Sequence, residues 1–592
     1  MSRERTHTCG DLRLADEGKE VHLKGWVNRR RDLGGVVFVD LRDRYGLTQV
    51  VFRPETAPDA CKTAEKLRSE FVIEVTGHVT PRPQGMRNAK LPTGEIEVIA
   101  SSLEILSEAR TLPFELDDKA EVSDVLRLKY RYLDLRRPAL QRNLLVRHRV
   151  TQAIRRHLDG AGFVDVETPF LTKSTPEGAR DYLVPSRLKP GHFYALPQSP
   201  QLFKQLLMMA GLDRYYQIVR CFRDEDLRAD RQPEFTQLDM EMSFATPKAI
   251  YSLIEELMAA VFESVAGEKI ETPFPRLSYA DAVARYATDK PDLRWPIELR
   301  DVSSAVREST FRVFRDAVAA GGEVRGLRLP KGNELSRSQI DGLVEKAKEF
   351  GAKGLVWIRE AEGKRTSSID KVISPEDLAA VAKVLELQPG DLALLVADQP
   401  AVARTALSSL RVHVLKKMRV PPGRKFAFVW VDEFPLFEWD NAEERYFSVH
   451  HPFTSPHTDD IPLLDQTQNL GRIRAQAYDL VLNGYEIGGG SIRIHRPELQ
   501  QKIFDRLGLS REEAKRKFGF FIEALEYGTP PHGGIAFGLD RISMILCGTD
   551  AIRDVIAFPK TQNAADLMAE APSEVDPKQL EELGLSLRRP HT

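Results

Sequence analysis

Two short segments, far apart in the chain, each carry an arginine next to strand-like sequence. Phe222-Arg223-Asp224-Glu225 ends an apolar run, and Gly538-Leu539-Asp540-Arg541 leads into a predicted helix at 541–546. A guanidinium group offers a planar fork of donors that suits phosphate oxygens, and a helix N-terminus adds positive potential. A lone arginine is more often a surface ion-pair partner. Two arginines serving one phosphate site would require strands from distant parts of the chain to share a sheet.

The patterns around these segments predict that sheet to be antiparallel. Residues 235–244 alternate, with Gln237, Asp239, Glu241 and Ser243 on one face and apolar side chains on the other. Such alternation is typical of a half-buried antiparallel strand rather than a βαβ unit. Further strands are predicted at 163–169, 215–222, 425–431, 485–494 and 533–538, and helices from about 141 to 158 and at 201–209.

The segment 483–494 contains Gly488-Gly489-Gly490 inside an otherwise strong strand. Glycine weakens a strand, and its usual reasons are a bulge or the close approach of a ligand. Side chains alternate between the two faces of a regular strand, so Glu486 and Arg493, an odd number of positions apart, would lie on opposite faces. A bulge could bring both to one face. Glu486 and Asp479 could then hold Mg²⁺ through hard oxygen ligands. A glycine-rich edge strand without a ligand is the plainer interpretation.

The rest of the chain is predicted to form other domains, since 592 residues suffice for three or four. Five short strands before residue 107 predict a small closed barrel of the OB-fold type. From 291 to 422, strands at 311–314, 354–358 and 392–397 alternate with helical runs, which indicates an inserted α+β domain. The predicted boundaries are 1–107 for the barrel, 108–140 for a linker, 141–290 and 423–560 for the two parts of a catalytic domain, 291–422 for the insert, and 561–592 for a C-terminal extension.

The composition of the chain limits the cellular compartments and the kinds of binding partner that are expected. The formal net charge is −2, so any RNA contact must come from local patches; residues 24–53 hold seven basic side chains against three acidic ones. Four cysteines without a C-x-x-C pair disfavour a zinc ribbon and fit a reducing compartment. No stretch approaches the ~18–20 apolar residues of a membrane span. We therefore expect a cytoplasmic protein without a membrane partner.

Taken together, these segments resemble the class II aminoacyl-tRNA synthetases of subclass b, and within them the bacterial aspartyl-tRNA synthetase family. Residues 163–181, 215–241 and 533–546 are similar to the three class motifs, and the matches 222–239 and 485–495 are the more specific ones. The resemblance implies a multidomain α+β protein: an anticodon-binding OB-fold barrel, an antiparallel catalytic sheet flanked by helices, and a bacterial-type insert. It also implies ATP-dependent attachment of aspartate to tRNA(Asp), with Mg²⁺, in a homodimer.

Site residues are implied by the same resemblance. For ATP they are Arg223, Asp224, Glu225, Gln232, Phe235, Glu486, Gly538, Leu539, Asp540 and Arg541, with Arg223, Arg541 and Glu486 catalytic and Asp479 and Glu486 holding the metal. For aspartate they are Glu177, Ser199, Gln201, Lys204, Arg223, Asp239, His450 and Arg493. The anticodon set is Arg31, Leu33, Phe38, Gln49 and Glu95, and Pro169 marks the dimer interface.

Alternatives stay open at this point. Leu33 matches members that select tRNA(Asp) over tRNA(Asn), but charging of both tRNAs is possible. An asparaginyl or lysyl synthetase is the nearest rival, and the pair Lys204 and Arg493 together with the insert disfavours it. A non-catalytic RNA-binding paralogue would be expected to lack Arg223, Glu486 or Arg541. An amide synthetase that uses no tRNA would lack the barrel.

Overall fold

The computed structural model describes residues 4–175, 179–225, 231–361, 364–417, 422–466 and 469–588. The chain divides into two compact units, Met1–Gln141 and Arg142–Thr592. The first unit contains a closed five-stranded barrel in the order β1-β2-β3-β5-β4, as predicted. Its elements are β1 (Glu20–Leu33), β2 (Val36–Arg42), β3 (Leu47–Phe52), α1 (Pro58–Ala64), β4 (Val72–Pro81) and β5 (Ile96–Ser107), followed by α2 (Asp124–Lys129) and α3 (Arg131–Asp134).

The barrel strands alternate between the core and the outer surface. On β2, Val37 and Val39 are fully buried, whereas Phe38 between them is only half-buried on the outside. The basic side chains of residues 24–53 pair with acidic residues later in the same unit: Lys24 with Glu74 of β4, and Arg42 with Glu70 in the turn before β4. Much of the local positive charge counted along the sequence is therefore neutralised by folding.

The second unit is built from further strands and helices. Its strands are β6 (Val164–Asp165), β7 (Leu183–Pro185), β8 (Phe193–Ala195), β9 (Arg214–Phe222), β10 (Glu234–Ser243), β11 (Arg276–Ser278), β12 (Leu299–Asp301), β13 (Glu323–Leu329), β14 (Val356–Ala361), β15 (Lys364–Ser367), β16 (Leu392–Asp398), β17 (Phe428–Asp432), β18 (Phe437–Asp440), β19 (Arg445–Ser448), β20 (Ala477–Leu482), β21 (Tyr485–Ile492) and β22 (His532–Gly538). Its helices, of which the first begins in the first unit, are α4 (Pro138–Gly160), α5 (Gln201–Met209), α6 (Pro247–Ala266), α7 (Tyr279–Tyr286), α8 (Arg312–Ala319), α9 (Arg337–Glu349), α10 (Pro375–Leu385), α11 (Pro400–Lys417), α12 (Pro497–Arg506), α13 (Arg511–Leu525), α14 (Leu539–Cys547) and α15 (Pro577–Glu582).

An eight-stranded sheet in the order β11-β17-β20-β21-β22-β10-β9-β6 is the centre of this unit. Its inner strands pair antiparallel, as predicted, and only the terminal pairs β11–β17 and β6–β9 are parallel. The apolar face of β10 packs with α4 and α6 in the main core. Strand β6 covers only Val164–Asp165, so the strand predicted over 163–169 is shorter than expected.

A separate five-stranded sheet, β12-β13-β16-β14-β15, lies between the two halves of the main sheet in sequence. Apolar clusters cover both of its faces, one with α9 and α11 and the other with α8 and α10. The predicted strands at 354–358 and 392–397 correspond to β14 and β16, but the strand predicted at 311–314 is wrong. That segment enters helix α8, in which Phe314 is fully buried, because a four-residue apolar window cannot distinguish the two periodicities.

Candidate active site

The polar face of β10 lies in the interior of the second unit. Asp239 and Glu241 are 1 % and 0 % exposed. In the sheet register Asp239 stands opposite Ala536 of β22, which stands opposite Gly489 of β21, which in turn faces Asp479 of β20. Strands from both sides of the insert therefore converge on one polar row, as the two arginine segments require.

Four charged side chains form a buried cluster beneath this face. Lys204 of α5 places its Nζ 2.9 Å from Asp239 and 3.3 Å from Glu241. Arg493 donates from Nε and Nη2 to the two oxygens of Glu241, at 2.9 and 3.1 Å. Its Nη1 donates to the Ser491 hydroxyl at 2.6 Å. Each buried cation is thus compensated by a carboxylate, as burial of charge demands.

The two carboxyl groups of this cluster have opposite pKa shifts. Burial raises the pKa of Asp239 to about 6, although Lys204 acts against it. Burial also acts to raise the pKa of Glu241, but Arg493 and Lys204 outweigh it and the pKa is lowered. Oδ1 of Asp239 and Nε2 of Gln201 are buried and find no hydrogen-bond partner among the described residues. A buried acceptor and a buried donor without partners indicate a place for a polar ligand.

A bulge, one of the two explanations for the glycine run, is present next to it. The register between β20 and β21 shifts at Leu480/Val481, where Ile487 is the extra residue. The position of an added Cβ on Gly489 would lie 2.6 Å from Asp479 Oδ1 and 3.9 Å from Glu486 Oε1. The space that side chains would occupy at these glycines is filled by the protein's own atoms. An added Cβ on Gly490, for example, would lie 2.1 Å from the Gly534 carbonyl oxygen.

Asp479 and Glu486 lie together with a histidine and a lysine. His450 Nε2 is 3.9 Å from Asp479 Oδ1, and Lys290 Nζ is 2.7 Å from Glu486 Oε2. Burial, reinforced by the charge of Glu486, raises the pKa of Asp479 to about 6. Burial also opposes ionisation of Glu486, but the Lys290 ammonium outweighs it and lowers that pKa.

The two arginines predicted for phosphate binding each contact another predicted site residue, and their role stays a prediction. Arg223 follows β9, and its guanidinium lies over the ring of Phe235, 5.0 Å from the centroid. Arg541, in the first turn of α14, donates to the backbone oxygen of Glu486 at 2.7 Å. Asp540 is buried and accepts from Arg147 and, at 3.1 Å, from the backbone N–H of Thr236. Gly538 precedes α14, and Leu539 is buried in the main core.

The loop between β9 and β10 is described only at its ends, and residues 226–230 lie outside the described residues. Asp224 bonds through its backbone N–H to the Arg180 carbonyl, and Glu225 lies 3.5 Å from Arg231. Gln232 uses its amide to pair with the backbone of Lys560, accepting at 2.7 Å and donating at 3.1 Å. The predicted role of Gln232 in ATP binding stays a prediction, and its amide has a structural partner.

Ser199, Glu177 and Pro169 are the remaining predicted site residues of the second unit. Ser199 lines a cavity of about 240 Å³, together with Lys173, Asp181 and Phe520. Glu177 lies outside the described residues. Pro169 is exposed and precedes two further exposed apolar residues, Phe170 and Leu171. Their contributions to substrate or subunit binding stay predictions.

In the barrel, the predicted anticodon residues share the outer side of neighbouring strands. Arg31 donates to Asp40 at 2.7 Å and to Gln49 at 3.3 Å. Gln49 donates to Glu97 at 2.9 Å. Phe38 stands opposite Arg31 in the β1–β2 register. Leu33 ends β1 with 65 % of its surface exposed, and Glu95 pairs at the surface with Arg87.

Sequence reasoning did not select several residues of this site. Glu241 was placed on the polar face of β10 but was given no role. His451 has no predicted role, yet its Nε2 lies 2.7 Å from Arg493 Nη1. Burial and that cation lower the pKa of His451, so a neutral ring can accept from the guanidinium. Lys290 lies outside the motifs and periodic segments of the sequence, and no pattern around it predicts a role.

Comparisons with known proteins agree with this architecture. The family model for class II tRNA synthetases (D, K and N) matches residues 123–562, and a model for an OB-fold nucleic acid binding domain matches residues 21–106. A relative from Geotalea uraniireducens is 55% identical over 98% of both chains, and one from Moorella thermoacetica is 56% identical over 98% of this chain and 96% of the relative. Both are named Aspartate–tRNA(Asp/Asn) ligase.

Solved structures show the same fold. An asparaginyl-tRNA synthetase from Pyrococcus horikoshii, complexed with asparaginyl-adenylate, superposes with a TM-score of 0.60 at 19% identity, covering 94% of this chain and 98% of that one. An aspartyl-tRNA synthetase from Entamoeba histolytica gives a TM-score of 0.56 at 19% identity, covering 92% and 89%. With the family model matching most of the chain, and with relatives more than half identical over nearly its full length, this chain belongs to the class II tRNA synthetases of the D, K and N group.

Proposed function

We propose that the chain is an aspartate–tRNA ligase that activates L-aspartate with ATP and transfers it to the 3′ end of tRNA(Asp). The observation that carries the proposal is the buried cluster of Lys204 and Arg493 beside an unpartnered Asp239 oxygen. The two cations suit a carboxylate, and the free acceptor suits an ammonium group. The names of the relatives from Geotalea and Moorella support the same amino acid.

Selectivity against asparagine follows from the charge balance of the site. Lys204 and Arg493 are the cations at the position proposed for the aspartate side chain. The carboxylate of aspartate would offer them a charged partner, whereas the amide of asparagine would be neutral. In a desolvated site an uncompensated charge is expensive, and a site built for a charged group rejects a neutral isostere.

The chain needs no nucleophile of its own for the first step. The α-carboxylate of aspartate attacks the α-phosphorus of ATP, and pyrophosphate leaves. In our assignment Arg223 holds the α-phosphate together with the attacking carboxylate, and Arg541 holds the γ-phosphate. Positioning and electrostatic stabilisation then account for the rate. The 3′-terminal ribose hydroxyl of tRNA attacks the aspartyl-adenylate next and releases AMP.

Asp479 and Glu486 would hold Mg²⁺, and their surroundings fit the ion. They face the same side of the bulged strand pair, and the raised pKa of Asp479 reflects burial beside a second carboxylate. Among the described residues no group of three or more acidic, histidine or cysteine side chains is arranged to hold a metal. That suits magnesium, which uses one or two carboxylates and completes its shell with phosphate oxygens and water. When bound there it would offset negative charge on the phosphates.

The sequence of this chain and the names of its relatives point to different tRNA specificities. Leu33 favours selective charging of tRNA(Asp), whereas the names of the relatives include both tRNAs. We therefore keep tRNA(Asn), which the sequence left open, as a second candidate substrate. In the anticodon site we assign Phe38 to stacking on an unpaired base and Gln49 to reading a base edge, with Arg31 and Glu95 beside them.

We also propose a homodimer that works in the cytoplasm. Val164, Phe170 and Leu171 are apolar and 46 %, 44 % and 54 % exposed around Pro169, and adjoining exposed apolar residues indicate an interface. All four cysteines are free, which fits a reducing compartment. Among the described residues, no helix combines the length and apolar character needed to span a bilayer.

The decisive experiment is amino-acid-dependent ATP–pyrophosphate exchange, run with aspartate, asparagine and lysine in parallel. We expect exchange with aspartate only. Exchange driven better by asparagine or lysine would contradict the proposal. Charging of purified tRNA(Asp) and tRNA(Asn) then separates the two tRNA specificities: comparable rates support the relatives' names, and a large preference for tRNA(Asp) supports the prediction from Leu33.

A further inference from the structure

Lys290 is a cation that the functional assignment leaves without a role. It follows α7 in the segment that enters the five-stranded insert, yet its Nζ lies 2.7 Å from Glu486 Oε2 in the main sheet. Both side chains are about one-third exposed, at 39 % and 31 %. The pair therefore lies at the site, within reach of a ligand, and not in the core.

The segment carrying Lys290 is fixed from the side of the insert. Arg411 of α11 is 2 % exposed and donates to the backbone oxygens of Asp292, Trp295 and Ile297 at 2.6–2.8 Å. A buried guanidinium that satisfies three carbonyl groups orders the backbone that bears them. The conformation of this segment is thus set by a helix of the insert.

The same segment is held on the side of the main sheet. Gly484, in the turn between β20 and β21, has a φ of +83°. The position of an added Cβ there lies 3.2 Å from the Asp292 Cβ, so the two backbones approach closely. Lys290 is consequently placed over Glu486 by contacts on both sides of its segment, and the insert acts on the carboxylate pair through the backbone that carries this lysine.

An ammonium group and a divalent cation compete for the same carboxylate. Two carboxylates at close range repel each other, and Lys290 relieves that repulsion before any substrate arrives. A magnesium ion bound directly to Glu486 would bring two more positive charges next to the ammonium. The ammonium would have to leave the carboxylate, and the phosphate oxygens of ATP would offer it a new anionic partner.

Resting on the metal assignment made above, we propose that Lys290 is a positioning residue that occupies Glu486 in the free enzyme and withholds the carboxylate pair from divalent cations until ATP is present. The insert, through Arg411, holds the lysine in that place. Metal binding and ATP binding thereby become mutually dependent, and the empty site does not take up a divalent cation by itself.

Mn²⁺ binding to the enzyme without ATP tests this directly, with free Mn²⁺ counted by electron paramagnetic resonance. We expect Lys290→Met to bind Mn²⁺ at least ~10-fold more tightly than the wild type, because a competing charge has gone. Lys290→Arg should behave as the wild type. Lys425→Met removes an exposed lysine that pairs with Glu268 at 2.9 Å and should change nothing. Thermal unfolding of each variant checks that it is folded.

The outcomes separate this inference from the metal assignment. Unchanged Mn²⁺ affinity in Lys290→Met, with weaker ATP binding, would make the lysine a phosphate contact and overturn the inference. Unchanged affinity for both ligands would overturn it as well. If Asp479→Asn abolishes Mn²⁺ binding in the presence of ATP, the metal assignment stands whichever result Lys290→Met gives. If neither Asp479→Asn nor Glu486→Gln affects that binding, the metal assignment itself fails.

Discussion

Glu241→Gln is the substitution that examines the buried cluster most directly. Glu241 is fully buried and accepts two hydrogen bonds from Arg493, with Lys204 at 3.3 Å. The position of an added Cβ on Gly534 lies 2.0 Å from Glu241 Oε2, so the slot is shaped around this side chain. A glutamine amide would fit it, but its NH₂ group would face a cationic donor in either orientation.

The cost of this change follows from the burial of its partners. Breaking a buried ion pair by removing one charge destabilises by about 3–5 kcal/mol, because the other charge remains uncompensated. For a unit of roughly 450 residues, the usual unfolding entropy converts this loss into a fall of about 3–5 °C in Tm. Arg493 also loses its two-point anchor, and a misplacement of about 1 Å can cost ~100-fold in rate. We expect a fall of that order in kcat/KM for aspartate.

Differential scanning calorimetry and aspartate-dependent pyrophosphate exchange measure the two effects. Glu268→Gln is the matched control, since the Glu268 side chain is 40 % exposed and pairs with Lys425 at the surface. Loss of this surface ion pair should lower the free energy of unfolding by less than about 1 kcal/mol and leave the rate of pyrophosphate exchange unchanged. If Glu241→Gln keeps its Tm within about 1 °C of the wild type and its kcat/KM within about threefold, the cluster does not position Arg493 and the reasoning is wrong.

Three further predictions concern the same face of the sheet. Because the pKa of Asp239 is about 6, kcat/KM for aspartate should fall as the pH drops through 6, since the protonated carboxyl cannot accept from the ammonium group. The raised folded-state pKa also means that stability increases as the pH falls further towards 4. Asp239→Asn should weaken both dependences, with the remainder due to Asp479, whose pKa is also about 6; an unchanged pH profile in that variant would assign the activity loss to another group. Gly534→Ala places a methyl group 2.0 Å from Glu241 Oε2 and 2.1 Å from the Met240 carbonyl oxygen. We therefore expect a lower Tm and loss of exchange activity. A normal Tm would show that the sheet can shift to accept the methyl group. Arg493→Leu and Lys204→Leu should each lose aspartate activation by orders of magnitude, and normal exchange by both variants would refute the aspartate assignment.

The elements that could be predicted from the sequence are those with a local pattern. The alternation at 235–244 and the apolar run at 215–222 predicted β10 and β9 almost to the residue, because side-chain period is a property of consecutive residues. The glycine run at 488–490 indicated either a bulge or the close approach of a ligand, and a bulge is present at the adjacent residue Ile487. The short apolar window at 311–314 was misassigned because four residues do not define a period.

The partners of the site residues could not be predicted in this way. Glu241 and Arg493 are 252 residues apart, and no local pattern relates them. Lys290 stands in a segment without strand or helix periodicity, and its contact with Glu486 depends on how the insert is anchored. The glycine at 489 was expected to make room for a ligand or a bulge, whereas its space is taken up by the carboxylate of Asp479.

By itself the sequence determined the chain's family, the order of its domains along the chain and the residue types available for phosphate and carboxylate binding, because motifs and periodicities are written in consecutive residues. Only the tertiary structure decided which charges meet. Burial against one sheet gives Lys204 and Arg493 their carboxylate partners and leaves an oxygen of Asp239 without a hydrogen-bond partner among the described residues. The fold also places Lys290 on Glu486. The physical reason is that a buried charge is stable only beside its counter-charge, and that counter-charge is supplied by whichever strand or helix the fold brings alongside.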